Sequence, residues 1–348
     1  MLDPRVLILY NRPVLPPDHP DRAAEEDVLY SVKIVRESLK TTGFPSDEYG
    51  ITDTVPGIAE LLERLSRRNF DLVFNLYEGS ADRSVTEVYV TALLEWLHIP
   101  YTGCSSFTLG LARNKAFAKR VFGAGGVRTA EFVVLSDAAV PSDPVGYPAI
   151  VKPADEDASI GIDQGSVVTN DEELVARVQY VIDQYGPPVL VERYIPGREL
   201  QVSLIDLNGT GDPVVLPFAE IEFTQSEAKT WPVYTFTAKW DELSDEYKNA
   251  PVRVGVSIAP GIQAKLESVT RRAYHLLAAR DYARVETRVT PDGDVFVLEL
   301  NPNPSITSVM IDEGLPSVGH TYDEFIAAMV RNAAARSVSP RGARRVRV

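Results

Sequence analysis

The residues best suited to chemistry lie in a predicted β-hairpin near the C-terminal end of the chain. The first strand reads ARVETRV over 283–289, and the second reads DVFVLELN over 294–301. Because side chains alternate along a strand, Arg284 and Glu286 share one face of the first strand, and Glu299 and Asn301 share one face of the second. Two carboxylates and a carboxamide are hard oxygen ligands of the kind that Mg²⁺ accepts when phosphates and water complete its octahedron. From the hairpin alone, an ordinary salt-bridged surface is the alternative interpretation.

Two further strands end in charged residues. Lys152 follows an apolar strand and precedes the loop ADEDASIGIDQG at 154–165, which mixes acids, serine and glycine. Such a loop can cover phosphates with backbone N–H groups, while the lysine adds a point charge. Glu192 closes another apolar strand and Glu199 follows it, so these carboxylates could accept hydrogen bonds from an adenine amine and from ribose hydroxyls. Taken in isolation, this second segment could equally be a solvated surface turn.

The elements that must position these residues fall into three predicted units. Residues 1–106 alternate buried strands with amphipathic helices, which predicts a parallel α/β domain. Its segments are strand 5–10, helix 24–41, helix 58–66, strand 71–76 and a helix from 84. Residues 107–197 and 198–335 each mix strands and helices as α+β units, and residues 336–348 form a basic, solvated tail. The predicted class is therefore α/β combined with α+β.

The composition narrows the range of partners. The chain has 348 residues and carries 35 Lys and Arg against 49 Asp and Glu, giving a net charge of −14, which argues against an extended nucleic-acid-binding surface. The single cysteine, Cys104, excludes a disulfide framework and a multi-cysteine metal site. No window has the ~18 apolar residues of a membrane span. The cluster Gly123–Gly126 precedes a strand, so it predicts a turn and not a dinucleotide-binding loop. We expect a cytoplasmic protein that binds small molecules.

The order of these blocks resembles that of the ATP-grasp superfamily, and within it the D-alanine–D-alanine ligases. The resemblance runs with the expected spacing from about residue 70 to about residue 310. The segments that carry it are DLVFNLYEG at 71–79, IPYTG at 99–103, Lys115, VKP at 151–153, Ser159-Ile160-Gly161, VERYIPGRE at 191–199, AKW at 238–240, ARVE at 283–286 and LELNPNP at 298–304. It implies an ATP-grasp fold, in which an N-terminal α/β domain precedes two α+β subdomains that enclose ATP.

The resemblance also implies a role for each matching residue. The predicted nucleotide-binding residues are Lys115, Lys152, Ser159, Ile160, Gly161, Glu192, Tyr194, Ile195, Glu199 and Lys239. The metal triad, usually Asp, Glu and Asn, corresponds to Glu286, Glu299 and Asn301, and would hold two Mg²⁺ ions, with Mn²⁺ as the alternative. Glu286 departs from the pattern by one methylene but keeps the charge.

The chemistry implied by the family is ADP-forming C–N ligation through an acyl phosphate. Arg284 matches the arginine that stabilises the oxyanion, Lys239 matches a lysine that reaches the transferred phosphate, and Ser159 belongs to the loop that covers the phosphates. Related ligases are often dimers, and the resemblance therefore suggests a homodimer formed through the N-terminal domain.

The substrate side matches the family less well. Glu25, with Glu26 as the alternative, corresponds loosely to the glutamate that receives the first amino group, Trp240 replaces a tyrosine, and Glu78 stands where a histidine is usual. The second substrate site would be lined by Ser305, Ser308 and Met310. These changes predict an amino acid or similar small carboxylate as substrate. Authentic D-alanine–D-alanine ligation and a non-catalytic nucleotide-binding protein are the alternatives.

Overall fold

The computed structural model describes residues 3–16, 22–79, 83–156, 159–224 and 230–338. Its N-terminal layer is a parallel sheet in the order β2-β1-β3, as predicted for an α/β domain. The strands are β1 (Val6–Asn11), β2 (Ser46–Ile51) and β3 (Leu72–Leu76), and the helices are α1 (Arg22–Thr41), α2 (Val55–Ser66) and α3 (Thr86–Trp96). Apolar side chains of β1 and β3 are fully buried, because helices cover both faces of the sheet.

Strand β2 was not predicted from the sequence. Its residues read SDEYGI, and the first three side chains are exposed, so that only Gly50 and Ile51 are buried. The strand is held instead by backbone pairing to β1 along its whole length, from Val6 with Ser46 to Asn11 with Ile51. A polar edge strand of this kind has no hydrophobic periodicity from which it could be recognised.

The central unit is an antiparallel four-stranded sheet in the order β4-β7-β5-β6. Two helices lead into it and a third, α6, covers it with a stripe that includes Leu174 and Val178. These elements are α4 (Ser106–Arg113), α5 (Lys115–Ala124), β4 (Phe132–Leu135), β5 (Ala149–Pro153), β6 (Val167–Val168), α6 (Asp171–Tyr185) and β7 (Val189–Arg193). The β5 strand carries Lys152 towards the interior of the molecule.

The third unit is a six-stranded antiparallel sheet in the order β11-β10-β8-β12-β13, with β9 paired to β8. Strand β12 pairs with β8 on one side and with the edge strand β13 on the other, and the predicted hairpin is therefore present. The elements are β8 (Arg198–Ile205), β9 (Val214–Val215), β10 (Ala219–Ile221), α7 (Phe236–Trp240), α8 (Asp245–Lys248), β11 (Val252–Val254), α9 (Pro260–Leu276), β12 (Tyr282–Val289), β13 (Val295–Asn301), α10 (Val309–Asp312) and α11 (Gly314–Ser317).

The final helix α12 (Tyr322–Val338) returns to the N-terminal layer. Phe325 and Ile326 of this helix share one buried core with Phe74 of β3 and Tyr282 of β12. The tail predicted from residue 336 begins inside this helix. Arg336 bonds to both carboxylate oxygens of the buried Asp281 at 2.8 Å, and residues 339–348 lie outside the described residues. In the part of the chain that the structure describes, no helix is long and apolar enough to cross a membrane.

Candidate active site

Two adjoining cavities lie along the six-stranded sheet. The first, termed the inner cavity, lies between this sheet and the four-stranded sheet, and the second, termed the outer cavity, also reaches the N-terminal layer. A set of side chains lines both of them, and it consists of Glu156, Ser159, Ile160, Tyr234, Glu286 and Glu299. The two predicted metal-binding carboxylates therefore lie at the junction of the cavities, where a group in one can react with a group in the other.

The inner cavity combines apolar walls with two lysines. Ile150, Ile160 and Leu298 contribute apolar surface, and Lys115 and Lys152 contribute charge. Both lysines are almost fully buried and were predicted as phosphate-binding residues. A flat apolar slot next to fixed cations suits a nucleotide, because the base can be buried while its phosphates reach the lysines.

The carboxylate of Glu192 joins two lysines at the wall of the inner cavity. Its oxygens lie 2.7 Å from Nζ of Lys152 and 2.6 Å from Nζ of Lys119. Burial alone would raise the pKa of Glu192, but the two ammonium charges outweigh it and lower the pKa to about 2. Lys119 was not predicted. The available signal was its position one helical turn after Lys115, on the same face of α5.

A second buried ion pair lies further along the inner cavity. Glu199 bonds to Arg288 at 2.5 Å, and Arg288 also donates to the hydroxyl of Tyr194 at 3.4 Å. Burial raises the pKa of Glu199, although the charge of Arg288 opposes the shift. Tyr194 and Ile195 line the same cavity, so the structure brings together the residues that were predicted for the adenosine site.

The predicted metal-binding residues sit opposite one another across the hairpin. Glu286 of β12 pairs with Glu299 of β13, and Arg284 pairs with Asn301. The pairing shifts between Glu286 and the next residue, which leaves Leu298 as the extra residue of a β-bulge. Simple alternation does not predict that Leu298 lines the inner cavity alongside Glu299, as it does.

The chemistry of these donors fits a divalent cation. Glu299 lies 3.4 Å from Lys115, and its pKa is lowered because the nearby lysines outweigh the effect of burial. Arg284 bonds to Glu286 at 3.0 Å. Among the described residues, no group of three or more His, Cys, Asp or Glu side chains is placed to hold a metal ion, and the predicted set consists of two carboxylates and the amide of Asn301. An all-oxygen set next to lysines that were predicted to bind phosphate is the environment that Mg²⁺ favours.

The outer cavity holds the predicted catalytic and substrate residues. Arg284, Lys239, Trp240 and Ser305 line it, and Nζ of Lys239 lies 5.4 Å from the centre of the Trp240 indole. Lys239 is positioned by the short helix α7, which begins where the buried hydroxyl of Thr235 accepts a hydrogen bond from a backbone N–H at 3.0 Å.

The loop that was predicted to cover phosphates contributes residues to the cleft. Ser159 and Ile160 line both cavities, and the carbonyl of Ser159 accepts a hydrogen bond from Ile162 N–H at 3.0 Å. Gly161 has φ of +76°, and a Cβ atom there would lie 2.6 Å from the ring of Pro153. The loop can therefore turn back onto strand β5 only with glycine at this position.

Acidic residues that were not proposed as substrate ligands line the far wall of the outer cavity. Asp27 projects from α1, Glu78 follows β3, and Glu87 belongs to α3. The Glu78 side chain is accessible to water in the cleft but is surrounded by protein. This desolvation, together with the charge of Asp27, raises the pKa of Glu78 to about 7 against the opposing effect of Lys239 and Arg284. Burial also raises the pKa of Asp27.

The remaining substrate predictions have mixed outcomes. The Glu25 side chain lies outside the described residues, while Asp27, on the same helix, reaches the cavity. Ser308 precedes α10 and Met310 is buried within it, and neither is among the described residues that line the two cavities. Arg113 lines the outer cavity and donates to Ser84 at 2.7 Å, a feature that nothing in the sequence indicated.

Comparisons with known proteins agree with this geometry. A family model described as D-ala D-ala ligase C-terminus matches residues 122–331. The chain is 31% identical over 277 residues to the uncharacterized protein y4sG of Sinorhizobium fredii, which covers 78% of each chain. It is 29% identical over 318 residues to a D-alanine–D-alanine ligase of Geobacter sulfurreducens, covering 89% of this chain and 91% of that one.

Solved structures share the fold. A D-alanine–D-alanine ligase from Bacillus anthracis, complexed with ATP, aligns with a TM-score of 0.73 at 19% identity, over 96% of this chain and 98% of that chain. The VanG D-Ala:D-Ser ligase from Enterococcus faecalis aligns with a TM-score of 0.70 at 16% identity, over 95% and 99% of the two chains.

Proposed function

Because the chain belongs to the D-alanine–D-alanine ligase family, an ADP-forming group of ATP-grasp ligases that make C–N bonds, we propose that it joins an amino acid or similar small carboxylate to an amine with ATP and Mg²⁺. The main observation that supports the proposal is that the inner and outer cavities share a set of lining residues. Glu286 and Glu299 face a lysine-lined apolar slot on one side and a strongly charged cavity with Arg284 and Lys239 on the other. That arrangement suits the transfer of a phosphoryl group from a nucleotide to a second substrate.

In this proposal the inner cavity binds ATP. The apolar walls receive the adenine, Glu199 accepts hydrogen bonds from the ribose, and Lys115 and Lys152 bind the phosphates. Glu286, Glu299 and Asn301 would hold Mg²⁺, with two ions expected and Mn²⁺ as the alternative. When bound, the metal offsets the negative charge of the β- and γ-phosphates.

The reaction would proceed in two displacements. A carboxylate oxygen of the first substrate attacks the γ-phosphorus, the bond to ADP breaks, and an acyl phosphate forms. The nitrogen of the second substrate then attacks the acyl carbon, inorganic phosphate leaves, and the nitrogen loses a proton as the amide forms. Arg284 and Lys239 both line the outer cavity. In this proposal Arg284 is the permanently charged donor to the developing oxyanion, and Lys239 contacts the transferred phosphoryl group.

The acidic wall of the outer cavity would bind the ammonium group of a substrate. Asp27 and Glu78 are both carboxylates at this wall, and Arg113 and Ser84 lie in the same cavity. An amino acid presents one cation and one anion at neutral pH, so a cavity lined by both Asp27 and Glu78 and by Arg284 can bind the two charges of such a substrate.

Authentic D-alanine–D-alanine ligation is the second candidate, and it is favoured by the relatives that bear this name, such as the protein of Geobacter sulfurreducens. The contents of the outer cavity favour a different pair of substrates. Glu78, Arg113 and Trp240 add charge and bulk where two alanine side chains need only a small apolar space.

ATP-dependent release of phosphate with Mg²⁺ tests the proposal. We expect release with at least one pair from a panel of D- and L-amino acids and amines, with a condensed product of the corresponding mass detected by mass spectrometry. Release with D-alanine alone and formation of its dipeptide would establish the second candidate. Binding of ATP without release for any pair would refute ligation of small amino acids and support a non-catalytic nucleotide-binding protein.

A further inference from the structure

The buried residue Lys119 lies behind the inner cavity. Its side chain is 1% exposed, and Nζ bonds to Glu192 at 2.6 Å and to the hydroxyl of Thr129 at 2.7 Å. On the other side of Glu192, Lys152 lies 2.7 Å away and lines the cavity. The three side chains form a row in which Lys119 contacts Glu192, and Glu192 contacts the lysine that faces the nucleotide.

We propose that Lys119 is a positioning residue for nucleotide binding, which shares the negative charge of Glu192 so that Lys152 stays both oriented and electrostatically available to phosphate. This inference rests on the proposed role of the inner cavity as the ATP site.

The charges explain why two lysines are needed. A lone pair of Glu192 and Lys152 would be neutral, and a phosphate would have to compete with the carboxylate for the ammonium group. The row of three carries a net charge of +1, because Glu192 is shared. Glu192 still holds Lys152 in place, while the excess positive charge attracts the polyphosphate.

Burial makes this arrangement a specific feature and not a chance surface contact. An ammonium group inside a protein is costly unless it is paired. Burial lowers the pKa of Lys119, whereas the charge of Glu192 acts in the opposite direction. The charged form of this lysine therefore depends on its pairing with Glu192. The hydrogen bond that Nζ of Lys119 donates to Thr129, on the segment leading to β4, fixes the far end of the row.

The Lys119→Met variant tests the inference through nucleotide affinity. We expect the dissociation constant for Mg-ADP, measured by calorimetry, to rise about 10-fold or more, because Glu192 then neutralises Lys152 alone. Adenosine has no phosphates, and its dissociation constant should change by less than about threefold. Arg120→Met is the matched control, since it removes a charge from an exposed neighbour on α5 and should leave both affinities unchanged.

The double variant Lys119→Met/Glu192→Gln separates this role from a merely structural one. It removes the carboxylate that would neutralise Lys152, so the double variant should bind Mg-ADP at least about threefold more tightly than Lys119→Met. A double variant that binds as weakly as the single variant would overturn the proposal, as would unchanged Mg-ADP affinity in folded Lys119→Met.

A milder variant covers the case in which Lys119→Met does not fold. Thr129→Val removes only the hydrogen bond to Nζ and should weaken Mg-ADP binding by about threefold, again with adenosine unaffected. Equal losses for both ligands would contradict the inference. Since these measurements need only nucleotide binding, they remain decisive if no ligase substrate is found, whereas wild-type protein that fails to bind Mg-ADP would refute the proposed function itself.

Discussion

The acidic wall of the outer cavity leads to a prediction about pH. Glu78 has a pKa of about 7, which burial and the charge of Asp27 raise above the ordinary glutamate value. If the ionised carboxylate receives the substrate ammonium group, kcat/KM for that substrate should increase as the pH rises through this pKa. From the titration equation, about one tenth of Glu78 is ionised at about pH 6 and about nine tenths at about pH 8. We therefore expect about a tenfold rise over this interval.

Two substitutions test the origin of this rise. Glu78→Gln removes the titrating group, so kcat/KM should be low and flat between about pH 6 and about pH 8. Asp27→Asn removes the charge that disfavours ionisation of Glu78, so the rise should move to lower pH. Glu87→Gln, at a third carboxylate of the same cavity, is the matched control and should retain the wild-type profile.

The assay is phosphate release at saturating Mg-ATP, with the carboxylate substrate that bears the bound ammonium group well below its KM. The substrate is the productive pair found in the amino-acid panel, and ADP affinity is measured in parallel to show that the inner cavity is unaffected. A rise near pH 7 that persists in Glu78→Gln would refute the assignment of the titration to Glu78. An unchanged profile in Asp27→Asn would show that the pKa of Glu78 does not depend on its neighbour.

Three other substitutions have expected outcomes. Arg284→Ala should leave Mg-ADP affinity within about threefold and lower turnover about 10²-fold, as losses of oxyanion donors do, and normal steady-state turnover would contradict its role. Glu286→Gln should raise the Mg²⁺ concentration needed for half-maximal activity about 10-fold or more, because a charged ligand is lost, whereas an unchanged Mg²⁺ titration would place the metal elsewhere. Arg336→Met should lower the free energy of unfolding by about 2–3 kcal/mol in urea denaturation, because the buried Asp281 carboxylate then keeps only the backbone N–H of Gly103 as a partner, at 2.7 Å. A loss below ~0.5 kcal/mol would mean that the ion pair between Arg336 and Asp281 is not stabilising.

The parts of the fold that the sequence predicted share one property, which is regular burial. The strands β1 and β3 carry runs of buried apolar residues, β12 alternates apolar with polar residues, and α9 has an apolar stripe, so these patterns are visible in the sequence. Strand β2 forms because its backbone pairs with β1, and backbone pairing does not require particular residue types.

The same distinction applies to the site. Residues such as Lys152, Glu286 and Glu299 lie on or next to regular strands within ordered sequence blocks, and the structure gathers them around one cleft. Lys119 and Asp27 could not be assigned, because their roles depend on which helix face meets which sheet. Periodicity places Asp27 on α1, but only the tertiary packing of that helix beside the C-terminal sheet brings it to the outer cavity.

The return of α12 to the N-terminal layer illustrates a long-range effect of the same kind. The arginines near the end of the chain predicted a solvated tail on charge alone, yet Arg336 is held by Asp281 and by the carbonyl of Tyr101. An ion pair between residues so far apart in sequence becomes visible only when Phe325 and its neighbours are seen to complete the core against β3.

The division of the cleft into two cavities allows substrate choice to change without loss of nucleotide chemistry. The lysines and the Glu199–Arg288 pair of the inner cavity belong to the two C-terminal sheets and to α5. The distinctive residues of the outer cavity, Asp27 and Glu78, belong to the N-terminal layer. Because none of the described N-terminal side chains lines the inner cavity, a substitution there alters the field around the substrate and leaves the lysines proposed to bind phosphate in place. Residues of α1 and of the end of β3 can therefore change as the substrate preference changes. Glu286 and Glu299 face both cavities, so each is constrained by the nucleotide and by the substrate.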